Sequence, residues 1–265
     1  MKTIKEYINE KLVLKRKFFT KRTEFPKNKK ELVKIIEREI KANGNECSLN
    51  HIDVSNIKDM SHLFSSASIG FKFFEFNGDI SQWDVSNVED MSFMFCGSEF
   101  DGDLSGWQTD SLNDLFGAFS HSKYTGKNGD ITNWNVSQVI YMNGTFSSSL
   151  YDGDLSKWNT ENVQSMRQMF ELSEFTGENG DISNWNVSNV TNMSKMFKKS
   201  LFKGDLSNWK PKSLKWMGEM FYKSNFSGNI DNWDVSNVEK AAYAFDWSPL
   251  ENKKPKWWSN KINVS

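Results

Sequence analysis

Apolar residues return along this chain in a fixed order behind a recurring Trp, and polar residues fill the places between. The clearest copy runs Trp185-Asn186-Val187-Ser188-Asn189-Val190 and on to Met193, Met196 and Phe197. Take the anchor as position 0. It is Ile52 in a degenerate first copy, then Trp83, Trp107, Trp134, Trp158, Trp185, Trp209 and Trp233. An aliphatic precedes each Trp at −3, from Ile80 to Ile230. Val, Ile or Leu stands at +5, Met at most +8 positions, and Phe at every +12 from Phe64 to Phe245. Successive Trp anchors advance by 24, 27, 24, 27, 24 and 24 residues. Self-similarity at such a period is the signature of stacked repeats. The longer copies carry their extra residues near Gly126-Lys127-Asn128-Gly129 and Gly177-Glu178-Asn179-Gly180. Insertions confined to one place in the unit mark a loop on one face of the stack.

The pattern predicts the elements of one unit. Gly-Asp or Gly-Asn before the −3 aliphatic reads as a turn. Asp-Ile-Ser-x-Trp alternates in and out, which suits a short strand. Val-x-x-Met-x-x-Met-Phe fits a helical face, or a short strand leading into one helical turn at Met-Phe. We take the second. The expected fold is a repeat solenoid with short parallel β-strands plus one helical turn per 24–27-residue coil. Each buried Trp or Phe would hide roughly 150–250 Å², on the order of 4–6 kcal/mol before entropy is subtracted. A single unit offers its rings no partner surface, so stability should grow with the number of coils. The same repetition argues for core rather than a ligand cage.

Four segments follow. Residues 1–25 are a leader: Ile4, Tyr7, Ile8 and Leu12 form an amphipathic stripe ahead of Lys15-Arg16-Lys17. Residues 26–47 hold an N-terminal cap, with a helix expected over 29–42. Asn28 stands three before Glu31 as in a capping box, and Leu32, Val33, Ile35, Ile36 and Ile40 form its stripe. Asn43-Gly44 ends it. Residues 48–248 are the eight-coil solenoid. Residues 249–265, with Pro249, Pro255 and Trp257-Trp258, are a C-terminal cap, and Trp257 falls 24 residues after Trp233.

Charge narrows the partners. Net charge is −1, but residues 1–46 carry 14 Lys/Arg against 7 Asp/Glu, and the remainder carries 19 against 27. A net-acidic repeat body argues against nucleic acid along it. The basic N-terminus reads as a solvated helix face. Cys47 and Cys96 occupy different slots, so neither a disulfide framework nor a zinc cluster is expected. Charges interrupt the start of the chain, which shows no secretory segment, and no membrane span is expected from the apolar runs.

Candidate chemistry is sparse. His51, His62 and His121 fall at unlike offsets, and no catalytic triad spacing is present, so no enzyme and no cofactor are expected. Asp79, Asp103, Asp130, Asp154, Asp181 and Asp205 form a column. Stacked carboxylates suit calcium, yet Asp beside Gly is also an ordinary turn residue that bonds its own backbone. The core rule relaxes at +6, +7, +9 and +10, where Phe93, Phe116, Ile140, Tyr141, Trp216 and Tyr243 break the polar run. Outward aromatics grouped on one face are partner-binding anchors; the rival expectation is that they pack on neighbouring coils.

Phe202-Lys203-Gly204-Asp205-Leu206-Ser207-Asn208-Trp209, with the copy that begins at Trp185, resembles the BspA-like leucine-rich-repeat surface proteins and the related repeats of mycoplasma lipoproteins. The resemblance covers about residues 48–248. It implies a leucine-rich-repeat-like solenoid, a bacterial surface protein and a role in protein binding or adhesion, with no catalytic residues. Many such proteins are exported, whereas no signal peptide or lipobox cysteine is visible here, so the location stays open between cytoplasm and cell surface. Met1–Leu14 is also similar to short leaders of gut-phage-encoded proteins. The expected partner is a protein or a glycan. A structural component of a phage particle or cell envelope is the remaining alternative.

Overall fold

The computed structural model describes residues 20–66 and 73–258. Most of the leader, residues 1–19, lies outside the described residues. Residues 20–25 run beside the first repeat: Glu24 bridges Ile52 in parallel, and Asp53 N–H donates to Glu24 O at 2.8 Å.

Helix α1 spans Lys29–Asn43. Asn28 Oδ1 accepts from Glu31 N at 3.1 Å, and the Glu31 carboxylate reaches back to Lys27 N at 2.9 Å. Those bonds satisfy two backbone donors at the helix start. Gly44, at φ +82°, closes the other end by donating to Ile40 O at 2.8 Å, a backbone geometry that costs other residues strain. Leu32, Val33 and Ile36 are buried in the same continuous core as the repeats. Lys29 Nζ also pairs with Asp59 of the first repeat at 2.9 Å.

Each following repeat is a chain of tight turns. The anchor N–H donates to the −3 carbonyl, as in Trp185 to Ile182 at 3.1 Å; +5 donates to +2, as in Val190 to Val187; +11 donates to +8, as in Met196 to Met193. Neighbouring repeats are joined by parallel bridges at +7: Asp59 to Asp90, then Asp114, Tyr141, Ser165, Asn192, Trp216 and Lys240. These pairings are single-residue bridges, so the short strand expected at Val-x-x-Met is reduced to one bridged residue, and the short strand expected over Asp-Ile-Ser-x-Trp is corrected to a turn. The reason is local: Asp79 Oδ1 captures Ser81 N at 2.9 Å, and Ile80 O captures Trp83 N at 3.1 Å.

The helical turn expected at Met-Phe is corrected too. Position +10 has positive φ in every copy, from His62 (55°) and Phe93 (53°) through Lys195 (60°) to Tyr243 (58°), with Gly117 and Gly144 in two copies. Position +14 does likewise from Gly97 to Trp247. Left-handed residues break a right-handed helix; as third residues of turns they match a type II pattern. The donors meanwhile point to the next repeat. Phe95 N–H reaches Ala118 O at 2.8 Å, and Phe197 reaches Met220 O at 2.9 Å. Non-glycine residues pay a backbone cost in this region, and the bonds between repeats hold them there.

The core is three columns of rings. Trp107 stacks on Trp134 at 5.9 Å and Trp185 on Trp209 at 6.4 Å, with planes within 8°. The +12 rings run unbroken from Phe64 to Phe245 at 5.4–5.9 Å. The third column, Phe76, Phe100, Tyr124, Tyr151, Phe175, Phe202 and Phe226, was not expected from the sequence. From Phe100 on it keeps a constant +17 offset from the Trp before it, but sits 7 or 10 residues ahead of the next, because the insertions fall between. Each indole also donates to the −3 carbonyl of the preceding repeat: Trp83 to Leu49 at 3.0 Å, Trp185 to Leu155 at 3.1 Å, Trp233 to Leu206 at 3.0 Å. Trp257 continues this ladder to Ile230 at 2.8 Å. Indole N–H groups are thereby satisfied inside an apolar stack, where an orphan donor would cost roughly 1–3 kcal/mol.

Candidate functional site

The inward positions are uniform from repeat to repeat, so individuality lies on the outward ones. Val88, Met91 and Phe95 are buried, while +7, +9 and +10 of each repeat line up beside the bridge ladder. Here the predicted partner-binding residues fall into separate groups. Phe93 is half-buried, stacked on His62 at 4.9 Å and tilted against Phe116 at 4.9 Å. For Phe93, packing on neighbouring repeats is what the geometry shows, while Phe116 keeps 38% of its surface exposed. Ile140 and Tyr141 are exposed in the next repeat. Trp216 and Tyr243 come together as part of the lining of one open depression of about 620 Å³.

That depression exists because of small residues. Position +9 holds Phe116 in the third repeat and Arg167 in the fifth, but Ser194, Gly218 and Ala242 in the last three. With no bulk there, Trp216 and Lys240 at +7 and Lys195, Glu219 and Tyr243 at +10 surround a recess. A Cβ added at Gly218 would meet only Ala242 backbone, at 3.5 Å, so that glycine leaves space rather than relieving strain.

The recess is cationic. Arg167, Lys195 and Lys240 line it. Its acid, Glu219, is held by Lys198 at 2.5 Å and Lys195 at 3.5 Å. The bond from Lys198 holds the Glu219 carboxyl below the usual range, and the same bond raises the Lys198 ammonium. The net-acidic repeat body of the sequence reading therefore needs refinement. Residues 47–189 carry 6 Lys/Arg against 20 Asp/Glu, whereas residues 190–258 carry 12 against 7. At +7 the first three repeats present Asp59, Asp90 and Asp114. Burial pushes the Asp114 carboxyl up, and Asp90 adds to the rise, although the Phe116 N–H it accepts pulls the other way.

The Asp column does different work. Asp79, Asp103, Asp130, Asp154, Asp181 and Asp205 each accept the N–H two residues on, at 2.7–3.1 Å. Asn229 makes the same bond at 2.8 Å without charge. Among the described residues no group of three or more His, Cys, Asp or Glu is placed to hold a metal ion. Sequence reading passed over Asp101 and Asp152, which tie down the inserted turns. Asp152 Oδ1 accepts from Thr176 N at 2.7 Å and Oδ2 from Asn179 at 2.9 Å. It also missed Leu172 and Trp247 at +14, 50% and 70% exposed. The one signal for them was apolar bulk at an otherwise polar or Gly position.

The reactive groups stay apart. His51 lies 3.8 Å from Glu39, His62 stacks on Phe93, and His121 sits exposed at a turn. Burial pushes both the Cys47 and Cys96 thiols up, away from the thiolate a nucleophile needs. Burial also drives the Tyr124 and Tyr151 phenols far up.

The family model described as "Mycoplasma protein of unknown function, DUF285" matches three overlapping stretches, residues 30–150, 123–177 and 148–258. The chain belongs to the DUF285 family. Matches along most of the chain follow from the repetition of one DUF285-type unit. Nothing among curated proteins or solved structures matches it. Among its described residues this DUF285 chain has no helix long and apolar enough to cross a membrane.

Proposed function

We propose that the chain is a non-catalytic interaction scaffold, a leucine-rich-repeat-like solenoid of the BspA-like surface type, that binds a protein partner or mediates adhesion. The single observation that carries this reading is the recess under Trp216 and Tyr243. It combines two aromatic rings, three cations and a floor emptied by Ser194, Gly218 and Ala242. Trp, Tyr and Arg in a shaped recess are the residues that dominate interface energetics. The inward columns and the Asp turns are occupied by structure, which supports placing function on the outward positions. A glycan is the second reading, favoured by the two rings lining one recess, since aromatic faces stack on sugar rings.

The test is capture of ligands from protein extracts and on a glycan array, using the intact chain and Trp216→Ser/Tyr243→Ser. The double variant is expected to keep its melting temperature within a few degrees and to lose at least tenfold in binding. Binding that survives the double substitution would remove the recess from the function. Signal on the array alone would select the glycan.

A further inference from the structure

We propose that this face binds a second copy of the chain in antiparallel fashion, the acidic first repeats of one copy lying on the basic last repeats of the other. The inference rests on reading the face as a binding surface, and it names the partner.

Three observations point to self-association. First, the bridge ladder puts both charges on one face: Asp90 and Asp114 occupy +7 near one end, and Lys240 occupies +7 near the other, with Arg167 at +9 between. No ion pair among the described residues includes any of these four. Lys195, Lys198 and Glu219 pair within the basic half, whereas these four have their opposite charges in the other half, so for them complementarity lies between chains. A two-fold axis across the middle of the face makes both contacts at once, as a closed dimer requires. Second, relief matches relief. Phe116 rises at +9 in the third repeat and is 38% exposed. The same position is emptied in the sixth to eighth repeats by Ser194, Gly218 and Ala242. Antiparallel docking sets the filled position opposite the empty ones, and places exposed Tyr141 near the axis. Third, the size suffices. Eight repeats at about 4.8 Å spacing give a face roughly 38 Å long. With about 10 Å of backbone from +7 to +10 and roughly 5 Å of side chain beyond each edge, the width is about 20 Å and the footprint on the order of 760 Å² per copy, near the size of a standard interface.

Sedimentation of the purified full chain between about 1 and 100 μM tests this, with circular dichroism confirming that every variant is folded. The intact chain is expected to form a closed dimer that weakens as salt rises. Asp90→Lys/Asp114→Lys alone, and Arg167→Glu/Lys240→Glu alone, should each be monomeric, with self-affinity lowered at least tenfold. Mixed in equal amounts they should dimerise, and so should one chain carrying all four changes. Gly218→Phe, which fills the recess with a residue already used at +9, should block dimerisation. A chain monomeric throughout, a mixture that stays monomeric, or open-ended growth in place of a dimer overturns the inference. A monomeric chain overturns this inference alone. Ligand capture unaffected by Trp216→Ser/Tyr243→Ser overturns the binding face, and this inference with it.

Discussion

At Asp114 one carboxylate serves two masters. Its Oδ1 accepts Phe116 N–H at 2.7 Å and so shapes the turn, while burial and Asp90 make its charge costly. Asn192 supplies the same bond at the same position three repeats later, at 2.9 Å to Ser194. Asp114→Asn should therefore keep the turn and relieve the charge. The sign follows from the raised folded pKa. Protonation is favoured by folding, so the contribution is fully present below the unfolded carboxylate pKa and is lost as pH rises through the folded one. The substitution should raise the melting temperature at pH 7 by a degree or so, after solvent screening, and the gain should vanish near pH 3. Melting curves at the two pH values, at concentrations low enough to keep the chain dissociated, check this; destabilisation at pH 7 would contradict it. The sequence showed Asp114 only as a polar residue at +7. Its neighbour Asp90 lies 24 residues away and meets it only once the repeats stack.

The turn unit was harder to read than the repeat. Val190, Met193, Met196 and Phe197 have spacing that fits helix as well as turns, and all are buried. What decides between them is the left-handed backbone at Lys195 and Lys199, residues that carry no glycine signal. Gly97, Gly117 and Gly144 mark the same places in other copies, and comparing copies at +10 and +14 exposes the pattern. The Trp and Phe columns were legible because their offsets never change; the +17 ring was hidden by the insertions ahead of the next Trp. The indole ladder gives this scale its prediction. Trp185 stacks between Trp158 and Trp209 and donates to Leu155 O. Trp185→Phe keeps a ring but loses the bond and leaves a gap, at an expected cost of about 2–3 kcal/mol. Urea unfolding measures it; a loss below about 0.5 kcal/mol would mean the ladder contributes little.

At the scale of the whole molecule, each repeat is stabilised by the repeats on either side. Helix α1 covers one end, and Trp257, with Phe245 at 6.0 Å, closes the other. The outward face is then free to vary, and the candidate recess was half legible for that reason. Trp216 and Tyr243 stand out against a polar background. The small floor at Ser194, Gly218 and Ala242 does not, since absence of bulk has meaning only beside its neighbours. Removing one whole layer tests this view directly. Deleting residues 198–221, which are 24 in number and one repeat long, rejoins Phe197 to Tyr222 with all three ring columns in register. Deleting residues 198–209, half that length, puts them out of register. Thermal unfolding of the two chains by circular dichroism should give a cooperative transition for the first, lowered by some degrees, and none for the second. Two chains that unfold alike would contradict the account.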